Sequence, residues 1–362
     1  MQKKIFTKKK KNLFIINNEI QLLNAKEAKH YYKSENSIFV FLESSHTKDI
    51  EALTAYKRNL NCHQLVIVNY NNSGRYINQD IALIKHLQQY DFTNIFIGYF
   101  SLRIRQYLSN FIYSSIILID DGTYTLALHH ELYNGFKKRT PSMLKTSSLR
   151  KKKKVMHFIS YYKNQYLRKF AFYQSGLNHT LSHYQLNFFT IYNLTQYCDE
   201  VIIKNNYTLL HMKYPNNKKM VKKDCFVYFL GQSLHKSLGL SASDYKSYLI
   251  KVIHYYKNKN IKIKYIPHRS ENFDYQDVTL SLVSDYFSIM QINKPFELYL
   301  LEEPLLPPRV ASFYSSALFT SKHIYSSLVV DSFMLKFDMS YREDISVIYK
   351  AIQKENIALI KI

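Results

Sequence analysis

The chain has 362 residues, 46% of them hydrophobic, and carries 50 Lys and Arg against 27 Asp and Glu, a formal charge of +23. That length and apolar content exceed what one small core needs and point to two domains. Three cysteines, Cys62, Cys198 and Cys225, cannot all pair and show no CxxC spacing, which argues against a disulfide framework or a structural zinc site and fits a reducing cytoplasm.

The charge favours an anionic partner, whether nucleic acid, a phospholipid surface or an acidic small molecule. Lys, Asn, Ile and Tyr are all abundant, however, as a compositional bias in the coding sequence would also produce. The N-terminal stretch MQKKIFTKKKKNLFIINNEI opens like a leader, but LFII is too short for a signal-peptide core, and Asn17, Asn18 and Glu19 follow at once. No stretch approaches the roughly 20 apolar residues of a membrane span. The expectation is a soluble cytoplasmic protein that can rest peripherally on an anionic membrane through its lysines.

Near-continuous apolar runs at 37–43, 64–70, 94–100 and 115–120 predict strands buried on both faces, with helical patterns at 48–61, 77–90 and 102–113 between them. This is the βαβ rhythm of a doubly wound domain. Residues 136–154, rich in Lys and Arg, interrupt it and predict an exposed loop. The run RKKKK at 150–154 is either a solvated charge run or a contact for anionic lipid or an anionic acceptor. A second series starts near residue 222. DCFVYFLGQ reads as a strand ending in a glycine turn at Gly231. SASDYKSYLIKVIHYYKNKN reads as a helix with Ser243 as N-cap, and IKIKYIPHR as the next strand. Strands at 287–292 and 310–314 follow, then a C-terminal helix and a short strand. The expected organisation is α/β throughout, with a first domain over 1–218, a second over 219–345, and a helix and tail over 346–362. The signatures GxGxxG and GxxxxGK[ST] are both absent.

Ligands of open α/β sheets gather at the carboxyl ends of the strands, and four stretches put reactive groups there. Asp120-Asp121-Gly122 ends the IILI strand. Two close carboxylates suit general-base work on a hydroxyl, although Asp and Gly also simply make turns. In YIPHRSE, Pro267 stops a strand, so that His268 can donate a proton and Arg269 can hold an anion; a surface turn with an ion pair reads equally well. Glu297, in PFELY, opens a short helix, where a carboxylate suits the macrodipole and can also accept from a ribose diol. Ser315 and Ser316 open a helix after VASFY, as a phosphate site or as an ordinary cap.

Together, these residues resemble the sequence pattern of bacterial sialyltransferases. YIPHRSE, PFELYLL and VASFYSSAL resemble glycosyltransferase family 52, the lipooligosaccharide sialyltransferases, and more distantly the polysialyltransferase-like families. FLGQSL at 229–234 is similar to that family's opening of the second domain. The resemblance covers 225–320 and reaches back to 116–123. It implies a GT-B architecture, two Rossmann-like domains with mainly parallel sheets facing a central cleft. It also implies metal-independent, inverting transfer of sialic acid from CMP-sialic acid to a hydroxyl of a glycan such as lipooligosaccharide, with no cofactor beyond that donor. On this pattern Asp121 is the general base and Asp120 supports it. His268 is the acid to the departing CMP. Glu297 is the nucleotide-binding acid on the ribose, and Ser315 and Ser316 hold the phosphate. Gln232, with Gly231 in the same turn, and Arg269 contact the nucleotide. In the family pattern Pro follows the histidine; here Pro267 precedes it and Arg269 follows.

Three other readings compete. A polysialyltransferase or other capsule glycosyltransferase would use the basic run for a polyanionic acceptor. A nucleic-acid-binding protein would explain the charge, but no helix-turn-helix, RNA-recognition or zinc-finger pattern appears. A non-catalytic transferase fold is disfavoured by the retention of both acids, the His, the Glu and both serines.

Overall fold

The computed structural model describes residues 10–42, 64–68, 76–134, 166–179, 184–214, 225–234, 238–268, 271, 286–336 and 343–362. The helix expected at 48–61, the basic stretch 136–154 and Arg269 lie outside these. The chain divides into two compact units. The first takes its described residues from Met1–Asp121, Lys138–Thr190 and Thr195–Asn205, and the second from Gly122–Lys137, Ile191–Leu194 and Asn206–Ile362.

Among the described residues the first unit has seven parallel strands: β1 (Lys10–Ile16), β2 (Ser37–Leu42), β3 (Gln64–Val68), β4 (Asp91–Ile97), β5 (Tyr113–Ile119), β6 (Asn187–Thr190) and β7 (Ile202–Lys204). Their spatial order is β3-β2-β1-β4-β5-β6-β7. The sequence patterns mark β2 to β5, and every residue of β2 is buried, as a strand covered on both faces must be. They miss β1, which the structure places inside the sheet, between β2 and β4. Phe14 of β1 stacks between Phe39 of β2 and Phe96 of β4, with ring centroids 4.5 and 4.3 Å away. Each such pair adds about 1 kcal/mol beyond area burial.

Among its described residues the second unit repeats the plan with six parallel strands: β8 (Phe226–Leu230), β9 (Lys262–Ile266), β10 (Phe287–Ile289), β11 (Arg309–Ser312), β12 (Val329–Met334) and β13 (Ala358–Lys361). Their order is β10-β9-β8-β11-β12-β13. Counted from the first strand of the unit, this is the doubly wound order 3-2-1-4-5-6. The expected helix forms over Ala242–Lys257, but its N-cap is Ser241, not Ser243. Ser241 Oγ accepts from the Asp244 N–H at 3.1 Å and donates to the Asp244 carboxylate at 2.7 Å. The cap wants a partner two or three residues ahead, and Asp244 stands three after Ser241. Among the described residues no helix is long and apolar enough to cross a membrane.

Candidate functional site

In a doubly wound sheet the ligand crevice opens where strand order reverses, beyond the carboxyl ends of the first and fourth strands. In the first unit these are β1 and β4, with β5 next to them. β1 runs into Asn17-Asn18, and Asn18 caps the helix Glu19–Tyr31: its Oδ1 accepts from the Gln21 N–H at 2.9 Å. The other end of the same amide donates from Nδ2 to Asp121 Oδ1 at 2.9 Å. One asparagine thus starts a helix and orients a carboxylate at the end of β5.

The two adjacent acids are not equivalent, because successive side chains leave a strand on opposite sides. Asp120 is 3% exposed and faces inward. Its Oδ1 accepts from Thr190 Oγ1 at 2.6 Å, and its backbone carbonyl accepts from Asn24 Nδ2 at 3.0 Å. Asn205 closes the ring, donating from its side chain to Asn24 Oδ1 and from its backbone to the Thr190 carbonyl. Asp121 is half-buried and is the last residue of the first unit. Gly122, at φ +60°, begins the second unit, and a Cβ there would sit 3.1 Å from Ser316 Oγ. Gly122 therefore lies against the helix that the serine pair opens.

In the second unit the switch falls between β8 and β11, and Gly231, Gln232, Ser315 and Ser316 all follow those two strands. Gln232 ties the two strand ends together: its Oε1 accepts from the Tyr314 N–H at 2.9 Å and from Ser312 Oγ at 3.3 Å. Ser315 caps the helix Ser316–Ile324, its side chain accepting from the Ala317 N–H at 3.3 Å, and both serines are half-buried. That helix end carries backbone N–H groups and hydroxyls, which suit an anion.

His268 lies two residues beyond β9 and is exposed. Glu271 holds its backbone, accepting from the His268 N–H at 2.8 Å and returning a bond from its own N–H to the His268 carbonyl. Behind it runs a chain of hydroxyls. The Gln232 N–H donates to Tyr245, Tyr245 meets Tyr265 at 2.7 Å, and Tyr265 donates to Glu271 at 2.7 Å. Burial, then the Glu271 charge, push the Tyr245 phenol well above its ordinary range, so it stays a neutral donor. Gly231 passes directly over this chain. A Cβ there would lie 2.5 Å from a Glu271 oxygen and nearer still to the Tyr265 hydroxyl.

Glu297 opens the helix Phe296–Glu302 and is 4% exposed. Burial raises its carboxyl above the usual range, while its own backbone N–H and the Thr320 hydroxyl pull it back. The Thr320 hydroxyl also reaches the Ser316 carbonyl at 2.9 Å, so Glu297 is linked to the helix that carries the serine pair.

Of the sequence-derived site residues that are described, Gly231, Gln232, Ser315 and Ser316 stand at the switch of the second unit, Asp120 and Asp121 follow β5 and are tied to the end of β1 through Asn18 and Asn24, His268 follows β9 and is tied to Gln232 through Glu271 and two tyrosines, and Glu297 reaches the serine-pair helix through Thr320. The Asn18, Asn24, Thr190 and Asn205 supports of the acid pair, and the Tyr245-Tyr265-Glu271 chain, are additions from the structure. The only sequence signal for the first group was Asn17-Asn18-Glu19, an N-cap pattern directly after an apolar run.

No protein-family model matches the chain, and no curated protein matches it by sequence. Solved structures do match in fold. Arabidopsis thaliana UGT89C1 complexed with UDP is similar over 98% of this chain and 86% of its own, with a TM-score of 0.50 and 9% identity. An α/β-galactoside α-2,3-sialyltransferase from the luminous marine bacterium Photobacterium phosphoreum is similar over 98% of this chain and 99% of its own, with a TM-score of 0.49 and 11% identity. Acinetobacter baumannii MurG is similar over 98% and 86%, with a TM-score of 0.44 and 9% identity. At such identities the likeness concerns the fold, and the fold is of the GT-B type, two Rossmann-like α/β units each with a parallel sheet.

Proposed function

We propose that the chain is a glycosyltransferase that moves sialic acid, or a related nonulosonic acid, from its CMP-linked donor to a hydroxyl of a bacterial surface glycan such as lipooligosaccharide. The reading has transfer inverting and metal-independent. The observation that carries it is the division of labour in Asp120-Asp121, where one acid is buried inside a ring of hydrogen bonds and the other is half-buried and held by the Asn18 amide.

Sialyl transfer makes two demands. The acceptor hydroxyl must lose a proton as an oxocarbenium-like centre forms, and CMP must leave as a phosphate. Asp121 takes the proton. His268, exposed beyond β9, gives a proton to the leaving phosphate. Ser315 and Ser316 hold that phosphate at the helix N-terminus, and Arg269 adds positive charge. Gly231 and Gln232 border the nucleotide at the second switch point. Glu297 is assigned to the ribose, a contact that would compete with its bond to Thr320. Support for a pyrimidine nucleotide comes from the fold, shared with a plant protein complexed with UDP, and from the rule that doubly wound sheets bind at the switch.

The test is CMP release from CMP-sialic acid with lactose as acceptor and EDTA present, for the wild type, Asp121→Ala and His268→Ala. The expected result is activity that survives EDTA and collapses in both variants. Absence of release with lactose, with lipooligosaccharide and with an oligosialic acceptor, together with no thermal stabilisation by CMP, would sink the reading. Extension of the oligosialic acceptor alone would move it to the polysialyltransferase alternative.

A further inference from the structure

The helix at 166–174 in the first unit is turned inside out. Its exposed side carries Tyr166 and Tyr173, each 71% exposed, with Phe170 at 52% and Leu167 at 45%. Positions 166, 170 and 173 fall on one face at helical spacing. The side toward the protein holds Arg168 and the fully buried Phe172. Arg168 Nη1 donates to the completely buried Asp80 carboxylate at 2.6 Å, its Nε donates to Gln106, and its guanidinium lies 4.9 Å over the Phe172 ring. Beyond the helix, Asn178 exchanges hydrogen bonds with Asn110: Asn178 N–H donates to Asn110 Oδ1 at 2.7 Å, and Asn110 Nδ2 donates to the Asn178 carbonyl at 2.8 Å. The segment is therefore fixed largely by polar bonds, and three aromatic rings and a leucine that could have done that work are left in water. A contiguous apolar face of this kind marks an interaction surface.

The sequence that flanks it favours an anionic partner. From residue 132 to residue 198 the chain contains no Asp or Glu and 12 Lys or Arg, about half of the net charge of the whole protein. Lys169 is exposed at the border of the aromatic face. Tyr and Phe beside Lys are the residues that settle at the headgroup level of a bilayer, with rings in the interface and cations on anionic lipid. A second copy of the chain would bring like charges together.

We propose that the Tyr166-Phe170-Tyr173 face, with Leu167 and Lys169, docks the first unit in the plane of an anionic lipid surface. The inference does not depend on the transfer reaction. The experiment is co-sedimentation of the full chain with phosphatidylcholine vesicles made with and without phosphatidylglycerol. The wild type is compared with the triple variant Tyr166→Ser, Phe170→Ser, Tyr173→Ser. Because the chain has no tryptophan, Phe170→Trp supplies a single fluorescent reporter that leaves the face aromatic. The expected result is binding to the anionic vesicles only, at least tenfold weaker in the triple variant. Phe170→Trp emission should shift to the blue with anionic vesicles and be quenched by brominated lipid. No vesicle binding by the wild type would overturn the proposal, as would undiminished binding of the triple variant with an unquenched tryptophan, which would assign the affinity to lysines elsewhere. A blue shift that follows protein concentration without lipid would overturn it in favour of a second copy.

Discussion

The two switch points share a strand order and differ in polarity. At the end of β1 and β5 the first unit sets carboxylates among side-chain amides, with Asn18 on Asp121 and Asn24 beside Asp120. At the end of β8 and β11 the second unit sets hydroxyls, phenols and a helix N-terminus, with Glu271 kept behind as an anchor. One end is built to hold carboxylates among amides, and the other is built mainly from donors. Since the sheets are alike, the difference lies in the few residues after each strand, which is where function resides on a shared fold.

The sharpest way to break this comparison is to exchange the roles within the acid pair. Asp121→Asn should lower transfer by about 10²–10⁴-fold, the usual contribution of a positioned base, with little change in melting temperature. Asp120→Asn should do the reverse and lose stability first, because a buried, hydrogen-bonded carboxylate is replaced inside a closed ring. Thermal melts and CMP-release rates for both variants check this; equal activity losses would mean the two acids act as a unit.

The donor end is tested next through Gly231→Ala. The added methyl must displace Tyr265 or Glu271, and the turn that aligns Gln232 moves with them. Overpacking of this kind costs about 1–3 kcal/mol, measured by denaturant unfolding, and CMP affinity should fall with it. Unchanged stability would show that the Tyr245-Tyr265-Glu271 chain gives way easily. Asn18→Ala comes third: loss of an N-cap costs about 1 kcal/mol, and activity should fall further than the melt alone predicts, because Asp121 loses its orienting amide. Asn18→Ser keeps a capping side chain without the amide. It should restore the melt but not the rate.

How much of this was legible in the sequence follows from the range of the interactions. β2, β4, β5, β8 and β9 are apolar runs that report on themselves, and Asp120, Asp121, Glu297 and the serine pair stand at element ends where local rules apply. β1 was missed because charged lysines and asparagines flank its apolar tetrad, so the pattern looked too short, yet its pairing with β2 and β4 makes it central. β12 was missed because Asp331 and Ser332 interrupt it; Asp331 is answered by Arg309 and Tyr256, which no window includes. The Asn18–Asp121 bond spans 103 residues and leaves no local trace. Register and long-range polar pairs were beyond a linear reading, whereas strand ends and some of the caps, such as Ser315, were within it.

The smallest expected effect concerns Glu297 and separates a nucleotide role from a packing role. Its folded carboxyl is raised above the unfolded value by burial. Over the interval between the unfolded value and the raised folded one, the native state holds a proton that the unfolded chain has released. Stability therefore falls as pH rises through that interval and stays lower above it. Glu297→Gln removes this dependence while keeping a hydrogen-bonding partner for Thr320. The variant should match the wild type in acid and be slightly more stable near neutral pH, seen as a positive difference in melting temperature that grows from about pH 4.5 upward. If Glu297 also binds the nucleotide, the same variant should lose CMP affinity while gaining stability. A variant that gains stability and keeps its CMP affinity would assign Glu297 to holding the two helices together and would leave the donor end to the serine pair and the Gln232 turn.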